Sequence, residues 1–160
     1  IERIAEGIDE LDIPENVTLL LENTAGKGTT LGKSMGELRE MIDQAETDED
    51  KIGVCIDTCH AHAAGYDLVT EEGFKDFIQE IEEDLGLEKV KVLHLNDSKD
   101  ERGSEKDNHE DIGFGNIGYE GFRNIVNADE LADPPMILET PSDNWDSYRD
   151  NIETLRELRA

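Results

Sequence analysis

Four short apolar runs, each followed by a segment with helical character, constrain the fold of this chain more than any other feature. The runs lie at residues 17–21 (VTLLL), 51–57 (KIGVCID), 90–95 (VKVLHL) and 136–139 (MILE). They are nearly continuous in apolar residues, which is typical of parallel strands that are buried on both faces of a sheet. The alternation with helical segments therefore predicts an α/β fold with a parallel sheet covered by helices.

The segments beside these runs predict the helices. Ser34 followed by Glu37 resembles a capping box at the start of one of them. The apolar spacing predicts helices at about 1–11, 34–45, 73–85, 119–126 and 144–158. Four successive strand–helix units would form half of an eight-stranded α/β barrel, or a small open α/β sheet. The chain begins at Ile1 with a helix already under way, so we expect it to be the later part of something longer.

Each predicted strand ends in a side chain that can bind a metal ion. These side chains are Glu22, Asp57, His94 and Glu139. A carboxylate after a strand can simply begin a loop or cap a helix. In a parallel α/β barrel, however, the C-terminal ends of all strands meet on one face, where the chemistry takes place. Four such side chains in succession therefore favour a functional site.

Two loops add further candidate ligands. Asp57 and His60 form a D-x-x-H pattern, and Asp107 and His109 form a D-x-H pattern whose side chains point the same way in an extended segment. Imidazole with carboxylate suits zinc, and also manganese or iron. The set is too large for one tetrahedral ion and fits two or more; it comprises Glu22, Asp57, His60, His94, Asp107, His109 and Glu139.

The two cysteines are predicted not to bind the metal. Cys55 would lie two residues deeper on the face of Asp57, about 6.6 Å along the strand, as core filling. Cys59 in the following turn could reach an ion, but a thiolate site would need more cysteines than the chain has. His62 is interpreted as a surface or packing residue. Few cysteines, no secretory signal and no transmembrane run together predict a reducing, cytoplasmic location.

The charge of the chain is strongly negative. Asp and Glu number 41 against 15 Lys and Arg, so the net charge is −26. The recurring apolar runs argue against disorder, although 35% of the residues are charged. A folded protein with an acidic surface fits a cytoplasm at molar salt, and an acidic partner-binding protein is the alternative.

Five motifs resemble the C-terminal part of the endonuclease IV family of metal-dependent apurinic/apyrimidinic endonucleases. They are LENTAGKGT (21–29), IDTCHAHAAGYD (56–67), HLNDSK (94–99), DNHEDIGFGNIG (107–118) and ILETP (137–141). The resemblance implies a (β/α)8 TIM barrel with three metal ions, typically zinc, at its C-terminal face. It also implies that residues 1–160 are the C-terminal half of a single TIM-barrel domain whose N-terminal half is absent from the chain.

The resemblance also implies roles for the ligands. Glu22 would bridge two ions, and Glu139 or Glu22 would position or deprotonate the attacking water. Asp57, His94 and Glu139 would complete the shell of the second ion, while the first ion also needs two histidines from the missing half. The third ion would be held by His60, Asp107 and His109.

The implied activity is base-excision repair on double-stranded DNA, by hydrolysis of the phosphodiester 5′ to an abasic site and trimming of blocked 3′ ends. Lys27 and Lys99 are candidate phosphate contacts. Asn108 stands where the family usually has arginine, and His62 where it often has an aromatic residue. We expect the intact enzyme to be a monomer, whereas a half-barrel could self-associate.

Two alternatives compete with this interpretation. A sugar isomerase or epimerase of the same barrel superfamily would use an E…DxxH…H…E set around one divalent ion, but would have no need of the Asp107–His109 pair. An inactive half-barrel that acts as a binding module is the other. The number of bound ions separates the three, because we expect three in an intact nuclease, one in an isomerase, and two or fewer in a half-barrel.

Overall fold

The computed structural model describes residues 1–141 and 144–160, and its centre is a parallel sheet in the order β1-β2-β3-β6. These strands are β1 (Leu19–Glu22), β2 (Ile52–Asp57), β3 (Val90–His94) and β6 (Met136–Ile137). A separate antiparallel pair consists of β4 (Asp97–Ser98) and β5 (His109–Glu110). The predicted parallel α/β architecture is therefore confirmed.

Six α-helices accompany the strands in the described part of the chain. They are α1 (Glu2–Asp9), α2 (Met35–Gln44), α3 (Thr58–Ala64), α4 (Glu71–Asp84), α5 (Gly118–Val126) and α6 (Trp145–Leu158). Single turns of 3₁₀-helix lie at Glu49–Lys51, Leu87–Lys89 and Asp129–Leu131. The helices pack against the sheet and bury one apolar core, which includes Leu38, Ile56, Ile81, Leu93 and Phe122.

The helix starts follow from capping side chains. Ser34 Oγ accepts a hydrogen bond from Glu37 N (3.2 Å), as the capping box predicts. The Glu37 carboxylate accepts hydrogen bonds from Gly32 N (2.7 Å) and Lys33 N (3.0 Å). The second half of the capping box, the bond back from Glu37, is therefore made to the two residues just before Ser34. Thr70 caps α4 and moves its start ahead of the predicted residue 73.

Two elements differ from the sequence prediction. The motif TCHAHAA forms helix α3 where a turn was expected, because Asp57 caps it by accepting a hydrogen bond from His60 N (2.9 Å). The segment after β3 is a hairpin, in which β4 and β5 pair and Lys99 N donates to Asn108 O (3.0 Å). Both elements lie at the C-terminal edge of the sheet and bear candidate ligands.

The two outer strands pair on one side only within the described residues. β1 contacts β2, and β6 contacts β3. Apolar side chains are exposed next to these edges, such as Val17 and Ile137, each 46% exposed. The sheet is therefore open at both sides, as expected for part of a barrel.

Candidate metal centre

The strand-end residues converge as the parallel register requires. Asp57 lies beside His94 on the neighbouring strand, and His94 lies beside Ile137. Ligand atoms of four side chains lie within 4.8 Å of one another: Glu22, Asp57, His94 and Glu139. Sequence positions as distant as 22 and 139 thus meet in one cluster at the C-terminal edge of the sheet.

The imidazole of His94 lies at the centre of this cluster. Its Nδ1 atom is 3.2 Å from Glu22 Oε1 and 3.2 Å from Glu139 Oε2. Asp57 Oδ2 lies 3.9 Å from the same nitrogen. One nitrogen and three carboxylate groups therefore face a common point, which is the donor set that zinc, manganese or iron accepts.

A second group of ligands lies next to the first. Asp107 Oδ1 is 3.1 Å from His60 Nε2 and 3.1 Å from His109 Nε2. Asp57 is shared, because its Oδ2 atom lies 3.8 Å from His109 Nε2. Asp57, His60 and His109 also place ligand atoms within 4.8 Å of one another. All seven predicted ligands thus belong to two adjoining clusters.

Local elements hold this second group in place. The hairpin formed by β4 and β5 brings Asp107 and His109 back over the end of the sheet. Its tip is fixed to α3, since Gly103 N donates to His62 O (3.0 Å) and Glu105 N donates to Ala63 O (3.0 Å). A loop so anchored can present a carboxylate and an imidazole at a defined position.

Two imidazoles are oriented by backbone carbonyls. His60 Nδ1 lies 2.9 Å from Asn23 O, and His109 Nδ1 lies 3.0 Å from Glu139 O. Because a carbonyl oxygen only accepts, each Nδ1 must donate, so in the neutral imidazole the lone pair is on Nε2, the nitrogen that lies 3.1 Å from Asp107 Oδ1. Metal-binding histidines are held in this way.

The residues fit a bound cation. The four carboxylates of Glu22, Asp57, Asp107 and Glu139 form ion pairs only with histidines among the described residues, with no lysine or arginine within ion-pair distance. His109 Nε2 is buried and has no hydrogen-bond partner. Clustered anions and an unpartnered lone pair are both costly unless a cation satisfies them.

The electrostatics of His60 reflect the same excess of negative charge. Burial lowers the pKa of its imidazole, but the charges of Asp57 and Asp107, the Asn23 carbonyl and Glu22 outweigh burial, so the pKa is raised above its usual value. The carboxylates around His60 thus favour positive charge at this position.

The sulfur atoms lie closer to the ligands than the sequence suggested. Cys55 Sγ is within 4.8 Å of candidate ligand atoms of Glu22 and His94, and Cys59 Sγ is within 4.8 Å of those of Asp107 and His109. Both residues are buried. Burial raises the pKa of each thiol to about 12, so both are neutral thiols at pH 7 in the absence of a metal. The interpretation that oxygen and nitrogen form the site stays a prediction.

Three buried polar residues near the site were missed by the sequence interpretation. Asn23 Oδ1 accepts from Asp57 N (2.7 Å), and Asn96 Nδ2 donates to Asp57 Oδ2 (2.6 Å). Asp97 accepts hydrogen bonds from the backbone of the following glycine-rich loop. Their one sequence signal is position, because each follows a predicted ligand by one to three residues.

The predicted DNA contacts lie on the surface at the same edge. Lys27 and Lys99 are exposed, and neither forms an ion pair with another described residue. Asn108 is exposed on the hairpin, but its amide donates to Asp100 Oδ2 (2.7 Å).

His62 is buried, and neither of its ring nitrogens has a hydrogen-bond partner. No described helix is long and apolar enough to cross a membrane.

Comparison with known proteins defines the class first. A family model described as a xylose isomerase-like TIM barrel matches residues 1–158. The chain is thus part of a TIM barrel, with four parallel strands present in the described residues. This agrees with the open sheet and with ligands that meet at the C-terminal ends of the strands.

Relatives then specify the group within that class. "Probable endonuclease 4" of Halobacterium salinarum is 44% identical over 160 residues, which are 100% of this chain and 57% of the relative. "Probable endonuclease 4" of Bacillus subtilis is 43% identical over 164 residues, covering 98% of this chain and 54% of the relative. The crystal structure of endonuclease IV from Thermus thermophilus matches with a TM-score of 0.76 and 35% identity, over 88% of this chain and 49% of that one.

The chain belongs to the endonuclease IV family of xylose isomerase-like TIM barrels. It spans about half the length of the curated relatives it matches. The fold and family predicted from the sequence motifs are therefore confirmed.

Proposed function

We propose that these residues provide the C-terminal half of a metal-dependent apurinic/apyrimidinic endonuclease. The reaction is hydrolysis of the phosphodiester 5′ to an abasic site in double-stranded DNA, together with trimming of blocked 3′ ends. The observation that supports it best is the Asp107–His109 pair, which adjoins the strand-end cluster and shares Asp57 with it. Such a pair extends the site beyond one ion.

The proposed site divides its ligands between zinc ions. Glu22, Asp57, His94 and Glu139 would hold one ion, and His60, Asp107 and His109 would hold another. A third ion would share Glu22 and take its other ligands from the part of the barrel that lies outside this chain. Bound zinc supplies a hydroxide near neutral pH and offsets negative charge on the phosphate; manganese or iron could replace it.

The carboxylates Glu22 and Glu139 are the proposed catalytic residues. Their side chains are 37% and 48% exposed, whereas Asp57 is completely buried. Water and substrate can therefore reach these two groups, which would orient the attacking water and accept its proton. Asp57 would act only as a ligand.

DNA would lie across the exposed C-terminal edge of the sheet. Lys27 and Lys99 can contact phosphates because neither is engaged with a carboxylate among the described residues. Asn108 can offer only an uncharged amide there, and one of its two N–H donors is already used on Asp100. An abasic nucleotide has no base to unstack, so it enters a pocket at lower cost than a paired one.

The net charge of −26 restricts the conditions under which this DNA binding works. At molar salt the release of counterions contributes little, so repulsion and attraction by surface charges are both weak. We propose that the protein acts in a cytoplasm of high salt and recognises its substrate mainly through the metal site and the shape of the pocket.

The test is incision of a duplex oligonucleotide with one abasic site, at high salt with added zinc. This chain would be compared with a version extended at its N-terminus by the rest of the barrel. Cleavage by the extended chain alone, abolished by chelator and by His109→Ala, would support the proposal. Asp76→Asn, an exposed change on α4, is the control that should retain activity.

A single-metal sugar isomerase is the second candidate, because the matching family model is described as xylose isomerase-like. An extended chain that binds one ion and cuts no DNA would favour it. Self-association of the 160-residue chain, measured by its sedimentation, would instead favour an inactive half-barrel with covered edges.

A further inference from the structure

The side chain of Asn96 lies between two of the proposed ligands. It is completely buried just beyond the end of β3. Its Nδ2 atom donates to Asp57 Oδ2 (2.6 Å), and its Oδ1 atom accepts from Glu139 N (2.8 Å). A single amide therefore connects the ligand from β2 with the ligand that follows β6.

The orientation of this amide is determined by its partners. A carboxylate oxygen can only accept and a backbone N–H can only donate, so a flipped amide would lose both hydrogen bonds. The backbone of Asn96 is held separately, since Asn96 N donates to Thr58 Oγ1 (2.9 Å) and Thr58 Oγ1 donates to Asn96 O (2.7 Å). The position of the main chain thus does not depend on the side-chain amide.

The hydrogen bond from Asn96 completes the orientation of the Asp57 carboxylate. Asp57 Oδ1 accepts from His60 N (2.9 Å), and Oδ2 accepts from Asn96. With one donor on each oxygen, the orientation of the carboxylate is restrained, and Oδ2 lies 3.9 Å from His94 Nδ1 and 3.8 Å from His109 Nε2. Without Asn96, this oxygen would be free to rotate away from the imidazoles.

We propose that Asn96 is the positioning residue that aligns Asp57 with Glu139, so that the ion site of Glu22, Asp57, His94 and Glu139 depends on it. The site of His60, Asp107 and His109 depends on it less, because Asn96 reaches that site only indirectly, through Asp57 Oδ2 beside His109 and through the main chain of Glu139, whose carbonyl orients His109. The inference rests on the proposed function to the extent that a metal ion binds here.

Two substitutions remove the amide in different ways. Asn96→Ala leaves space, and Asn96→Leu fills it with an apolar side chain of similar size. Both leave Asp57 Oδ2 and Glu139 N without this partner, and an effect common to both cannot be due to a cavity or to overpacking. Thr58→Val is the matched control, since it breaks the two neighbouring hydrogen bonds to the Asn96 backbone but no bond to Asp57 or Glu139 side chains.

The measurement is zinc affinity and stoichiometry by competition with a chelator at molar KCl, where exposed carboxylates bind zinc weakly. Cobalt absorption spectra would report the geometry of each site, and thermal unfolding of the metal-free variants would report folding. We expect both Asn96 variants to bind one ion about 10- to 100-fold more weakly, which is the usual effect of losing a hydrogen bond to a ligand. The other ion should be weakened less, because Asn96 acts on its site only through Asp57 and the main chain of Glu139. The Thr58→Val variant should bind both ions with the affinity of the unsubstituted chain.

Three results would overturn the inference. Unchanged zinc binding by both Asn96 variants would refute it alone and leave the proposed function intact. If the Asn96 variants and Thr58→Val all bound both ions equally more weakly, the loss of zinc affinity would reflect a general structural effect and not the positioning of Asp57 and Glu139. Failure of the unsubstituted chain to bind zinc would refute the proposed metal centre, and the inference with it.

Discussion

The carboxylate of Asp97 organises the glycine-rich loop 113–118, which follows the hairpin formed by β4 and β5. It is completely buried and accepts hydrogen bonds from five backbone N–H groups: those of Ser98, Gly113, Gly115, Ile117 and Gly118. The glycines of the motif GFGNIG (113–118) are thus explained inside the protein, because the loop must close tightly around this carboxylate.

We predict that Asp97→Ala destabilises the fold by about 3 kcal/mol or more, because several buried N–H groups lose their acceptor at once. Asp97→Asn should cost less than alanine, because its one carbonyl oxygen can still accept. Thermal and denaturant unfolding of the metal-free protein would measure both. Asp76→Asn, on the exposed face of α4, should change stability by less than about 0.5 kcal/mol. Equal stability of all three variants would contradict this role.

Because of the carboxylate of Asp67, we expect part of the protein's stability to be lost at acidic pH. Burial raises its pKa, but hydrogen bonds from the backbone of Thr70 and Val69, from the Thr70 hydroxyl and from Arg102 outweigh burial and lower the pKa to about 2. Since the folded pKa lies below the unfolded value of 3.8, its stabilisation is complete above about pH 4 and is lost as the pH falls towards 2.

The Asp67→Asn variant should therefore be less stable than the unsubstituted protein by a constant amount between about pH 5 and 8. The difference should shrink between about pH 4 and 2, as Asp67 itself becomes protonated. Denaturant unfolding of both proteins over this range would measure it. A difference that stays constant down to about pH 2 would show that the charge of Asp67 does not contribute.

At the scale of residues, the candidate ligands could be named from the sequence, but the buried residues that contact them could not. Glu22, Asp57, His94 and Glu139 each lie at or near the C-terminal end of an apolar run, and strand ends are the places where a parallel sheet collects functional groups. Asn23 and Asn96 look like ordinary loop residues in the sequence. Their roles depend on contacts with Asp57, which is 34 and 39 residues away along the chain.

At the scale of elements, glycine has opposite roles in helix α1 and in the glycine-rich loop 113–118 that closes around Asp97. Gly7 lies in α1, where an added Cβ would meet no atom within 4 Å. A Cβ on Gly115 would meet the Ser98 carbonyl oxygen and lie 2.5 Å from Asp97 Oδ1. One glycine is therefore dispensable, whereas the other permits the close approach of two fixed groups.

We predict that Gly7→Ala stabilises the protein by about 0.5–1 kcal/mol, since alanine favours the helix and has room. Gly115→Ala should destabilise it by about 1–3 kcal/mol, because the methyl group displaces a buried carboxylate. The midpoints of urea unfolding of the two variants would give the comparison. Changes of the same sign in both would refute the assignment of Gly115 to close packing.

The boundaries of the elements show which local signals were sufficient. Helices α2 and α4 have a capping hydroxyl and helical apolar spacing, and both were predicted to within about two residues. Helix α3 was missed because it has only seven residues and its cap, Asp57, was interpreted as a ligand alone. Strand β6 pairs with β3 over only two residues, and its other edge has no neighbour among the described residues.

For the whole molecule, the main electrostatic effect is repulsion between its own negative charges. The net charge is −26, and salt screens charges that lie more than about 3 Å apart at 1 M, but only those more than about 10 Å apart at 0.1 M. We predict that the free energy of unfolding of the metal-free protein rises by about 1 kcal/mol or more between about 0.1 and 2 M KCl. This corresponds to a rise in Tm of roughly 2–4 °C. Unfolding would be followed in chelator, so that metal binding does not contribute. A Tm that falls with added KCl would contradict this prediction.

By itself, the sequence determined the α/β class, the family and the identity of the candidate ligands, because these depend on local patterns and on motifs. The apolar runs define strands, and the polar residue near the end of each run lies at or just after the end of a strand. Only the tertiary structure decided which ligands share an oxygen of Asp57, how His60 and His109 are oriented, and that Asn96 joins two ligands. These are distances between residues far apart in the chain, and they are set by strand register and hairpin packing, which no local pattern of residues contains.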